Sequence, residues 1–147
     1  MRYFKELPLE FAYVTKEGFD YRSLNHLLPV KVRVPDIESV FDTRDSTQAA
    51  VLQEVFYRLR YFNYLQALTH LYNTGQGCVM ERSPWSDSVF ADHLYNEKLF
   101  GKSFSNYYWI LRSQTISSLQ RPHFVIYVDV PVDKCLETIK KRNLVCF

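Results

Sequence analysis

Apolar residues recur at helical spacing across residues 45–72, the longest such period in the chain. Leu52, Val55, Phe56, Leu59 and Phe62 fall on one face and Tyr61, Leu65, Leu68 and Tyr72 on another, so apolar groups cover most of the circumference. Asp45, with Gln48 three residues later, predicts a capping-box start. Between the apolar faces runs a third stripe, Gln53, Tyr57, Arg60 and Tyr64, spaced i, i+4, i+7 and i+11. Periodicity leaves two readings of that stripe open. One is a solvent-facing polar seam; the other is a ligand-facing seam, where an amide and a guanidinium flanked by rings meet a flat, hydrogen-bonding heterocycle.

The next pattern is the handover from Thr74 to Phe90. Gly75 and Gly77 end the helix, and Cys78-Val79-Met80 is a short apolar run of the kind a fully covered parallel strand carries. Glu81, Arg82 and Ser83 follow at once. Ser83 before Pro84 predicts an N-cap and a first-turn proline, with Asp87 in the first turns of the new helix, where the dipole favours an anion. An acid and a base thus stand at the carboxyl end of a strand, the edge where open α/β sheets hold their ligands.

Around these two features the remaining elements are simpler. Residues 3–14 predict a short strand interrupted by Pro8 and then a loop, and residues 19–45, with Pro29 and Pro35, predict an irregular connection with a brief helical piece. After the helix from Ser83 to about Leu99 comes another from Ser103 to Leu119, carrying Phe104, Tyr107, Tyr108, Leu111 and Ile116. Phe124 to Val130, FVIYVDV, is the clearest buried strand, stopped by Pro131. Asp133 then caps a basic helix with Leu136 and Ile139 inward and Lys140, Lys141 and Arg142 outward. The order helix, strand, helix, helix, strand, helix predicts an α/β fold with a parallel sheet.

Composition narrows the partners more than the fold. The chain has 147 residues, 47% hydrophobic and 16% aromatic, which is enough for one core and argues against disorder. Its net charge of +2 is mixed along the chain, so it implies neither a nucleic-acid nor a membrane-surface partner. No apolar run approaches the length of a membrane span. Cys78, Cys135 and Cys146 have neither metal nor redox spacing, which points to a reducing compartment. The N-terminus, MRYFKELPLEF, has neither a secretory core nor the look of a transit peptide.

Two further patterns carry less. Gly101-Lys102-Ser103 has the ending of a phosphate-binding loop, but Asn96 stands where that loop needs its first glycine, and a helix rather than a strand leads in. It reads as a chance match. His26, His70, His93 and His123 are scattered without partners at ligand spacing, so no metal site is expected.

Glu81, Arg82 and Asp87 are set apart from these by their place at the strand end. The segment ERSPWSDSVF resembles the ERSxxS motif of the deoxyribonucleoside kinases, and Gln53 and Arg60 match that family's Gln-x6-Arg stripe on the long helix. YVTKEGFDYRSLNHLLP, TGQGCVMERSPWSD and RPHFVIYVDVPV are together similar to the branch that serves as a kinase-like accessory subunit of mitochondrial respiratory complex I (NADH:ubiquinone oxidoreductase). The resemblance implies a parallel sheet of the P-loop nucleoside/nucleotide kinase type. It also implies that Glu81 and Arg82 lie by a sugar hydroxyl and a metal-phosphate group, and that Gln53, Arg60 and Asp87 read the base; Tyr57 joins them as a candidate ligand-binding residue through its place in the same stripe. Glu6 falls near the family's catalytic base, but the match is too weak to name it one.

The branch implies an accessory, non-catalytic role among other complex I subunits, in the mitochondrial matrix and peripheral to the inner membrane. It allows a bound nucleotide without requiring one; an ATP-dependent deoxyribonucleoside kinase is the alternative. Against the family pattern, the chain lacks the central first strand with its P-loop and the C-terminal lid region, and resembles a truncated form with an unrelated tail at 143–147. In the family's sheet that first strand lies between the strands at Cys78 and Phe124, so both are expected to have an unpaired edge.

Overall fold

The computed structural model describes residues 1–35, 37, 40 and 43–141. Among them the elements run β1 (Arg2–Phe4), α1 (Glu10–Tyr13), two 3-10 turns at Tyr21–Leu27 and Val30–Val32, α2 (Ser46–Thr74), β2 (Cys78–Met80), α3 (Ser88–Asn96), α4 (Lys102–Ile116) and α5 (Val132–Lys141). β1 and β2 form a two-stranded parallel sheet, with Arg2 opposite Cys78 and Phe4 opposite Met80. All three residues of β2 are half-buried rather than fully covered. The α/β class and the parallel pairing follow the sequence pattern. The four-residue helix α1 interrupts a segment whose β-forming residues predicted strand and loop.

α2 is the longest element, at 29 residues. The Asp45 side chain accepts hydrogen bonds from the backbone N–H of Thr47 at 2.8 Å and of Gln48 at 3.0 Å. The predicted capping box does not close, because the Gln48 amide donates instead to the carbonyls of Val30 (2.8 Å) and Arg33 (3.3 Å). One side chain thus ties the helix start to the preceding connection. At the other end Gly75 takes φ of 68°, and its N–H closes on the Leu71 carbonyl at 2.8 Å.

Burial around α2 runs against simple apolar patterning. Gln53, Tyr57, Arg60 and Tyr64 are buried, while Phe62, Leu65 and Tyr72 of the presumed core faces are exposed. Leu52 and Leu59 do face inward, and the core gathers where Leu52, Ala49 and Tyr57 meet Ala91 and Leu94 of α3, Phe100, and Tyr108 of α4. The stripe points in because each of its polar groups finds an internal partner.

Three expectations need correction. The helix predicted from Ser83 begins at Ser88, since residues 83–86 close a tight turn in which the Ser86 hydroxyl accepts from Ser83 N–H (3.1 Å) and donates to its carbonyl (3.0 Å). Phe124 to Val130 is not a buried strand: it has no ladder partner among the described residues, and Phe124 to Val128 are 70–83% exposed. A strand exists through its neighbour's backbone groups, and none of the described residues pairs alongside it. In α5, Leu136 is 44% exposed instead of inward. Arg142, Cys146 and the tail at 143–147 fall outside the described residues.

An extended run with apolar groups on both faces is a template for intermolecular pairing. Replacing Val125 and Tyr127 together by lysine is expected to cut concentration-dependent light scattering several-fold while the far-ultraviolet helix signal stays unchanged. Unaltered scattering would show that association proceeds through another surface.

Candidate functional site

The site is built on the carboxylate of Asp87, which is 0% exposed. Isolated burial of that charge would cost several kcal/mol, and three donors from two helices offset it. Gln53 Nε2 donates to Oδ2 at 2.8 Å, the Tyr108 hydroxyl donates to the same oxygen at 2.7 Å, and Arg60 Nη1 forms a buried ion pair with Oδ1. Helical spacing sets Gln53 and Arg60 two turns apart on one face of α2, and Tyr108 reaches in from the middle of α4. Asp87 itself is the residue before α3 and makes no side-chain cap to that helix, because both its oxygens are engaged elsewhere.

Glu6 extends the arrangement toward the strand end. Its Oε1 accepts from Arg60 Nε at 2.8 Å, and its Oε2 lies 3.5 Å from Arg82 Nε, so one carboxylate bridges the two guanidiniums. The Phe90 ring lies against both cations, 5.0 Å from Arg60 and 4.7 Å from Arg82. Arg82 holds φ of 59°, the left-handed region that a non-glycine residue enters at a cost. Glu81 accepts from the Tyr3 hydroxyl at 3.0 Å.

The remaining stripe residues are also engaged. Tyr57 hydrogen-bonds Thr115 of α4 and meets the Tyr108 ring edge-on at 5.7 Å. Tyr64 donates to the Gln120 carbonyl at 2.8 Å and packs on Trp85 at 4.9 Å. The structure therefore converges Gln53, Arg60 and Asp87, sets Arg82 next to them through Glu6, and leaves Glu81 exposed and bonded to Tyr3. Tyr108 and the bridging role of Glu6 are not legible in the sequence. Tyr108 stands in an aromatic run that reads as core, and Glu6 is 54 residues from Arg60 along the chain. The only signal for Glu6 is its rough family position.

Burial raises the pKa of Asp87 above the ordinary carboxylate value, against the opposing pull of Arg60 and the three donors. The Tyr108 hydroxyl is raised well above the usual tyrosine value, first by burial and then by the Asp87 charge beside it. Tyr57 is raised mainly by burial. These groups form an acceptor held among donors, an arrangement suited to hydrogen-bond recognition.

The comparisons with known proteins bear on this geometry. The deoxynucleoside kinase family matches residues 30–145. The chain is 41% identical over 92 residues to NADH dehydrogenase (ubiquinone) 1 alpha subcomplex subunit 10, mitochondrial, of Rattus norvegicus, and equally to that of Mus musculus, covering 63% of this chain and 26% of each relative. It is 30% identical over 108 residues to a deoxyguanosine kinase of Dictyostelium discoideum, covering 74% of this chain and 38% of that protein. The chain thus spans about a quarter of the length of the first two relatives.

Two measurements probe the site. Tyr108→Phe removes a hydrogen bond to a charged acceptor and is expected to cost about 1.5–3 kcal/mol in urea unfolding, whereas the exposed Tyr107→Phe stays within about 0.5 kcal/mol; equal effects would contradict the assignment. Because the folded pKa of Asp87 is raised, this group's contribution to stability is present in full below its unfolded pKa and is lost as pH rises through the folded value. The stability of the wild type relative to Asp87→Asn should therefore fall with rising pH across that window, and a flat difference would contradict the shift.

Proposed function

The chain belongs to the deoxynucleoside kinase family, and from that premise we propose that it acts as an accessory, non-catalytic subunit of mitochondrial respiratory complex I. The observation that carries this reading is the 41% identity over 92 residues to the alpha subcomplex subunit, against 30% over 108 residues to the deoxyguanosine kinase. Its partners in this reading are other complex I subunits, and its place is the matrix side of the inner membrane. Peripheral attachment is consistent with the described residues, in which no helix is long and apolar enough to cross a membrane.

Loss of catalysis is supported by how the charged groups are spent. Glu81 is tied to Tyr3, and Glu6 is held between Arg60 and Arg82. Gly101-Lys102-Ser103 opens α4 behind a helix, so it makes no strand-to-helix phosphate cradle. Phosphoryl transfer is mostly positioning and charge neutralisation, and this arrangement supplies neither to a triphosphate. Gln53, Tyr57, Arg60 and Asp87, with Glu81 and Arg82 at the strand end, are assigned to holding a nucleoside or nucleotide that is not turned over.

The second reading is a deoxyribonucleoside kinase that transfers phosphate from ATP to a nucleoside 5′-hydroxyl. The observation in its favour is the 30% identity over 108 residues to the deoxyguanosine kinase. The two readings separate cleanly. An epitope-tagged chain expressed in cultured cells is expected to co-migrate with the NADH-oxidising band on native gels of solubilised mitochondria, and purified protein to show no nucleoside-dependent ATP turnover. A chain absent from that band, with turnover abolished by Arg82→Ala, would falsify the accessory role.

A further inference from the structure

α2 carries apolar side chains on two faces, and the fold covers one of them. Leu52, Leu59 and Ala67 are buried against the interior. On the opposite side, Val51, Val55, Arg58, Phe62, Leu65 and Tyr72 form a stripe that advances by four, three, four, three and seven residues. Val51, Phe62, Leu65 and Tyr72 are 37–68% exposed, and Val55 is half-buried. Steps of three and four average to the heptad repeat, which keeps a stripe turned toward a second helix along its whole length. From Val51 to Tyr72 the stripe runs about 32 Å at the α-helical rise, and a continuous exposed apolar surface on that scale marks an interaction site.

At the middle of this stripe a groove of about 350 Å³ opens between α1 and α2. Phe11, 53% exposed, walls it from α1 and lies 5.8 Å from the Phe62 ring. Arg58 lines the same groove with its side chain 72% exposed. Among the described residues its guanidinium bonds only Glu54, through Nη2, so most of its N–H donors stay open. Glu54 is the only carboxylate in α2, and it is already shared between Arg58 and the Tyr107 hydroxyl at 3.1 Å. A second copy of the chain laid along this face would therefore bring another Arg58 and no free acid. We propose that the face docks one amphipathic helix of a partner protein, with apolar side chains at three- and four-residue spacing and a carboxylate at the level of Arg58. An apolar side chain of that helix fills the groove against Phe11 and Phe62, and its carboxylate takes the open donors of Arg58 where the rings exclude water. The inference rests on the accessory reading above, in which the partner is another complex I subunit.

Tagged full chains expressed in cultured cells test the inference. The wild type and Gln114→Lys, a charge added on the exposed side of α4, are expected in the NADH-oxidising band on native gels of solubilised mitochondria. The double change Phe62→Lys with Leu65→Lys should lower that population by about tenfold or more, since two apolar anchors are lost, and Arg58→Glu should lower it several-fold. A double variant that stays in the band at the wild-type level would overturn the docking face and leave the accessory reading standing. A wild type absent from the band would overturn both. A benzophenone amino acid in place of Leu65 identifies the occupant without relying on any variant's folding. Its photocrosslinked peptide is expected to come from another subunit and to carry an aspartate or glutamate within an apolar three-four repeat. A crosslink to a second copy of this chain, or to a peptide without that pattern, would overturn the proposal.

Discussion

The buried ion pair between Arg60 and Asp87 is the interaction on which the other contacts of the site depend. It joins the middle of the long helix α2 to the turn that follows β2, two segments 27 residues apart in the chain. Asp87 is raised in pKa even with the guanidinium against it, so desolvation outweighs the attraction in setting the cost of the charge. Such a pair adds little net stability compared with an apolar replacement. Removing one partner is another matter, because an uncompensated buried charge is left behind.

Several features of the fold follow from that pair. The α2 stripe faces inward because Gln53 and Arg60 are drawn to the carboxylate. α3 starts at Ser88, behind the turn at residues 83–86, and Asp87 at its N-cap position gives its carboxylate to tertiary contacts instead of a cap. Glu6 then carries the charge alternation outward from Arg60 to Arg82, whose left-handed backbone aims its side chain back over Phe90.

Much of this was legible in the sequence, though unevenly. The long helix, its Asp45 cap and the i, i+7 relation of Gln53 to Arg60 come from period and local capping chemistry, which act over a few residues. Which way the stripe faces is not a local property: hydrophobicity alone puts Phe62 and Leu65 inside, and only the Asp87 partner reverses the choice. Tyr108 was hidden because a tyrosine in an apolar run looks the same whether its hydroxyl meets water or a buried carboxylate. Phe124 to Val130 carries a strong strand pattern, but pairing depends on a neighbour that no property of those seven residues can supply.

A double-mutant cycle on Arg60→Met and Asp87→Asn, read by urea unfolding, tests the central claim most directly. If the pair is the internal node described here, the effects of the two single changes do not add, and the cycle gives a coupling energy of about 2 kcal/mol or more. Additive effects, with coupling below about 0.5 kcal/mol, would mean that the two residues act independently and that the site is not organised around this contact.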